Sequence, residues 1–226
     1  MKLSNNADRY FSKLKRNEEF VINADDLIKY FEVHNIPKFE KIIEFQLKFS
    51  GIELKIENDE SSNFNAFLVS KTDIKNNNEI EYLIIENTYY FFCGDHQTAQ
   101  FWFVISDKGE ICTYNNNNET VNILYTSFEK FIENYAFIDL VKQNKKYEHP
   151  GYYNLLDFTR FDELVKSFTI YDSSNDKFNK WISNGSLVIN KGLWLHEHSF
   201  YIHIYGKNKE ECDIFLKLLK IEKIID

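Results

Sequence analysis

The chain has 226 residues, 43% of them hydrophobic and 17% aromatic, which is enough apolar material for one full core plus a smaller unit and excludes a disordered chain. Its net charge is -8, and residues 50–120, with four Lys/Arg against twelve Asp/Glu, hold that whole excess; such a segment repels nucleic acid and attracts a basic protein. No apolar run reaches membrane-spanning length, the first residues lack a secretory leader's apolar stretch, and Cys93, Cys112 and Cys212 have no CxxC spacing, so the expectation is a cytoplasmic protein with no disulfide framework and no metal or other cofactor. The plainer reading of the acidic segment is a solvated sheet face.

In chain order, Asn23 caps a predicted helix through Leu27, Ile28 and Phe31. Pro37 suits the first turn of a second, whose Phe39, Ile42, Ile43 and Leu47 share one face and which ends near Gly51. From there the period changes to short β-branched and aromatic runs, predicting strands at 52–57, 64–70, 80–86, 89–93, 101–106, 110–114 and 121–125. The run from Phe101 to Ile105 is apolar throughout, which places it centrally and puts Trp102 in the core. Gly109 closes a hairpin turn. Thr126 and Glu129 have capping-box spacing, so a helix starts there and lays Phe128, Phe131, Ile132 and Tyr135 on the sheet. The polar stretch 143–150, ending in Pro150 and Gly151, reads as a break between a domain of residues 1–145 and a small α/β unit of residues 146–226. In that unit helices are expected near 161–167 and 176–182, strands at 187–190 and 200–205, and a last helix from Asn208 that buries Cys212, Phe215, Leu216 and Leu219. The fold class is α+β, with a central, mainly antiparallel sheet flanked by helices and a small C-terminal α/β extension.

Three stretches in this order resemble the SUKH superfamily of bacterial immunity proteins. Ile36-Pro37-Lys38-Phe39-Glu40 through Gly51 resembles its Pro-initiated helix. Tyr90 to Gly94, Phe101 to Ile105, Asp107 and Gly109 resemble its strand, loop, strand and DxG hairpin. Thr126 to Glu133 resembles its S-F-x-x-F-[LI]-E helix. The likeness covers roughly residues 20–141; the single Gly at the helix end, the long stretch 58–79 and the C-terminal extension depart from the family pattern. The resemblance implies a protein that neutralises a toxin by binding it. Many toxins countered by this family resemble nucleases, whose sites are basic, and the acidic segment would complement them. Glu57, Asp59, Glu60, Glu79, Glu81 and Asp95 are therefore the expected partner-binding residues. Tyr90 or Trp102 is a candidate aromatic anchor, although the strand pattern favours a core position for Trp102.

Catalysis has weaker support. His196 and His198, at i and i+2 on a strand, share a face and with His203 could bind a metal, but His203 has the opposite parity. The plainer reading is an exposed strand end. Cys93, Asp95 and His96 lie close in sequence without an oxyanion loop, and a buried, inert Cys93 is expected. No Gly-rich phosphate loop is present. The paired carboxylates Glu18-Glu19 and Asp25-Asp26 sit at helix starts, where the dipole favours them. The expectation is a protein that binds a cognate toxin domain, not an enzyme, and that engages neither nucleic acid nor membrane. The alternatives are a metal-dependent enzyme using His196, His198 and His203, or a scaffold for a non-toxin partner.

Overall fold

Apolar residues spaced for helices at both ends of the chain and for strands between them produce an α+β protein with two antiparallel sheets. The computed structural model describes residues 2–55, 63–96, 101–144, 146–195 and 198–226. The chain forms two compact units, Ser12–Ile123 and Met1–Phe11 with Leu124–Asp226.

In the first of these, α2 (Ala24–Val33) begins at Asn23, whose side chain accepts from the Asp26 amide, as its sequence predicts. Helix α3 (Glu40–Phe49) has Phe39 at its N-cap with no side-chain cap, so Pro37 lies in the linker and not in the helix. The linker turns at Asn35, φ +54°, where the Ile36 amide bonds back to the Phe31 carbonyl. Gly51 follows α3 with φ +90°, a conformation that favours glycine. Strands β1 (Glu53–Lys55), β2 (Asn63–Ala66), β4 (Thr88–His96), β5 (Trp102–Ser106), β6 (Ile111–Asn115) and β7 (Thr120–Tyr125) lie in that order, and β3 (Tyr82–Ile85) pairs with β4 alone. Glu86 and Asn87, both at positive φ, make the two-residue turn between β3 and β4. The predicted strand 64–70 stops at Ala66, because Ser70 and Asp73 form a capping box that opens a further helix, α4 (Lys71–Asn76). β5 lies between β4 and β6, as its all-apolar sequence predicts. Phe31 of α2 stacks on Phe91, which fixes the helix-covered face of the sheet.

The second sheet runs β8 (Tyr147–Asn154), β12 (Phe200–Gly206), β11 (Val188–Leu193), β10 (Lys180–Ser183) and β9 (Thr169–Ile170). Ile182, Ile189, Ile202 and Ile204 on one face pack with Phe161 of α6 (Phe158–Leu164) and with Cys212, Phe215, Leu216 and Leu219 of α7 (Lys209–Ile221). The other face packs Trp181, Val188 and Tyr205 against Phe137 and Val141 of α5 (Phe128–Gln143). This packing explains why the boundary falls inside β7 and not at residue 145: α5 shares a core with the C-terminal sheet. The second half of the supposed break at 143–150 is the start of β8, an edge strand that accommodates Pro150 near a register shift between His203 and Tyr205. The helix expected at 176–182 is absent. Asp176 instead accepts from the Phe178 and Asn179 amides in a turn that leads into β10. Helix α1 (Asn5–Phe11), which the sequence reading did not foresee, packs on α5; the Ser4 amide and hydroxyl donate to the buried Glu133 carboxylate at 2.6 and 2.8 Å.

Candidate functional site

Residues directly opposite each other on paired strands share a face. Tyr90 faces Leu83 and Ser106, Phe92 faces Val104, Val104 faces Cys112, and Trp102 faces Tyr114. These side chains therefore form one surface, on the side of the sheet away from Phe91. Val104 and Cys112 are buried at its centre, with the partly buried Leu83, Tyr90 and Phe92 packed around them. Trp102 is 47% exposed and meets the Phe92 ring edge-on at 5.6 Å. The core position expected for Trp102 is thus corrected: it stands at the first residue of β5, at the rim of the strand, exposed where the four residues after it are buried. The two anchor candidates, Tyr90 and Trp102, lie on the same face with Phe92 near both.

Acidic groups adjoin this face. Glu79 and Glu81 are exposed and, with Phe20, Phe67, Asp73 and Phe92, line a cleft of about 220 Å³. Phe92 connects the two features, because its amide donates to the Glu81 carbonyl at 3.2 Å and its ring belongs to the sheet face. Asp73 is held below the usual carboxylate range: burial acts to raise it, but hydrogen bonds from Ser70 and Asn78 outweigh that. Sequence reasoning missed Asp73, which the Ser70 to Asp73 spacing could have indicated. Of the other expected contact residues, Glu57, Asp59 and Glu60 lie outside the described residues, and Asp95 is in β4 opposite Asn65, with its side chain outside the description. The structure thus brings together two of the six acids, Glu79 and Glu81, and sets them beside the aromatic face.

The catalytic alternatives separate into their parts. Cys93 is fully buried, and burial pushes its thiol well up, against thiolate formation. The His96 side chain lies outside the described residues, as do His196 and Glu197. His198 is exposed, whereas His203 is 2% exposed within β12. His203 has Nδ1 3.1 Å from the Gly151 carbonyl and Nε2 3.2 Å from the Glu148 carboxylate, and its ring stacks on Tyr152 at 4.1 Å. Its polar contacts are therefore with strand β8 and not with His198. Among the described residues no group of three or more His, Cys, Asp or Glu is placed to hold a metal ion, and no helix is long and apolar enough to cross a membrane. No protein family, curated protein or solved structure matches this chain.

Proposed function

We propose that this protein is a bacterial immunity protein that neutralises a toxin by direct binding, using the face of Tyr90, Phe92 and Trp102 and the acids Glu79 and Glu81. The observation that carries the reading is the pairing of a half-exposed tryptophan on a partly open aromatic face with an adjoining acidic cleft. Large aromatic side chains supply much of the energy at protein interfaces, and carboxylates beside them select a basic partner and speed its encounter. A toxin that acts on nucleic acid has the basic surface such an arrangement favours. The resemblance of residues 20–141 to the SUKH superfamily supports the same reading from the sequence. The interaction itself performs the function: a tight complex covers the toxin's working surface.

The test is co-expression with the toxic domain that this reading expects to be encoded beside it, scored by cell survival and co-purification. Rescue by the native chain, and its loss in a W102A/E79K/E81K variant that retains the native circular dichroism, is the expected outcome. Killing that the native chain does not relieve sinks the toxin reading and leaves the scaffold role. Rescue that the triple variant preserves moves the interface elsewhere.

A further inference from the structure

A second cleft, of about 650 Å³, is built within residues 12–123 and lined by Lys15, Arg16, Phe20, Glu53, Asn65 and Phe67 among others. Its size is within the range that encloses a small organic molecule. The Arg16 guanidinium is fixed in place: Nε donates to the Ser50 carbonyl at 2.9 Å, and Nη2 donates to the Leu47 and Gln46 carbonyls at 2.9 and 3.4 Å. These bonds satisfy carbonyls at the end of α3, which a cation there favours. They use neutral acceptors and leave Nη1 without a bond among the described residues. Burial works against the Arg16 charge, with Glu18 opposing it. The neighbouring Lys15 is exposed and its ammonium has no carboxylate partner among the described residues. Phe20 and Phe67 supply an apolar wall, with ring centroids 6.0 Å apart and planes inclined by 35°. Gly51 also lines the cleft, and a Cβ there would lie 2.6 Å from the Asn17 carbonyl oxygen, so no side chain fills the space from that position.

We propose that this cleft binds a small organic anion with a flat apolar body, its charged end on Lys15 and Arg16 and its body along Phe20 and Phe67. Among the described residues the lining carries two cations and one carboxylate, Glu53, with Glu18 acting on Arg16 from nearby, a balance that favours a monoanion over a highly charged ligand. The ligand class is an aromatic carboxylate or sulfonate. Phe20 and Phe67 also line the acidic cleft, so the two clefts share these residues, but the anion site does not rest on the toxin-binding reading.

Amide chemical shifts of the full chain, titrated with naphthoate, with neutral naphthamide and with inorganic phosphate, test it. Naphthoate is expected to move the Asn17, Gly51 and Asn65 amides saturably, with naphthamide and phosphate binding roughly tenfold more weakly or worse. The K15M variant, altered at an exposed position that leaves the fold intact, is expected to weaken naphthoate by a similar factor. Naphthoate that moves none of these amides overturns the proposal. So does naphthamide that binds as tightly as naphthoate, since the charge then contributes nothing, or K15M that binds naphthoate as the native chain does.

Discussion

Gln46 is fully buried, and its side chain replaces a stretch of secondary structure: Nε2 donates to the Phe20 and Val69 carbonyls at 2.7 and 2.9 Å, and Oε1 accepts from the Val69 amide at 2.9 Å. A Q46M chain keeps the volume but strips three backbone groups of their partners, two of them buried with it. The expected loss is about 3 kcal/mol, read as a shift of the urea midpoint. His203 offers a test of sign. Both its neighbours, the Gly151 carbonyl and the Glu148 carboxylate, accept hydrogen bonds, so both bonds require the doubly protonated ring. Burial acts the other way and prevails, lowering the His203 pKa below 6.5, while Gly151 and Glu148 moderate the effect. The folded state therefore holds the proton less well than the unfolded chain. The contribution to stability is complete above about pH 6.5 and declines as pH falls through that value toward the folded pKa. Urea midpoints at about pH 7.5 and about pH 5.5 are expected to differ more in the native chain than in H203Q; equal differences exclude His203 as the source.

Among the elements, α5 shows how a cap is chosen. Thr126 and Glu129 have capping-box spacing, yet the N-cap is Ser127, whose hydroxyl accepts from the Lys130 amide, while the Thr126 amide and hydroxyl donate to Asp176. S127A is expected to cost about 1 kcal/mol, and T126V less, since Thr126 makes only an exposed side-chain contact. Reversal of that order in thermal or urea unfolding contradicts the assignment. In β4 the register shifts between Phe92 and Gly94, and the Phe64 ring covers Gly94 so closely that a Cβ there would fall 2.3 Å from it. Phe64 is fully buried and has nowhere to retreat. G94A is therefore expected to destabilise by about 2 kcal/mol, measured by denaturant unfolding.

At the scale of the whole molecule, the net charge of -8 gives association with a basic partner a strong dependence on ionic strength. With a toxin in hand, stopped-flow association is expected to slow as salt is added. E79K/E81K should reduce mainly the on-rate and its salt dependence, whereas W102A should raise the off-rate, because steering and desolvated packing act at different stages of binding. A salt-independent on-rate for the native pair removes the electrostatic part of the argument.

The class of fold and most strands were legible because they depend on local alternation and on punctuation such as Gly51 and Gly109, both at positive φ. The cap at Asn23 and the stripe of α7 were equally local. The surface position of Trp102 was not, because an all-apolar run cannot tell a strand's centre from its rim. Nor was helix α1, held by Glu133 at a separation of 129 residues, or strand β8, whose polar sequence contains Pro150 and is a strand because β12 pairs with it. The same limit applied to the site. The sequence by itself determined where the acids are concentrated and which aromatics alternate along β4 and β5. Tertiary structure decided that Glu79 and Glu81 join Asp73 beside Phe92, that Tyr90 and Trp102 share a face, and that α5 belongs with the C-terminal sheet. The physical reason is that backbone propensity acts between near neighbours, whereas burial and charge depend on which distant segments fold against one another.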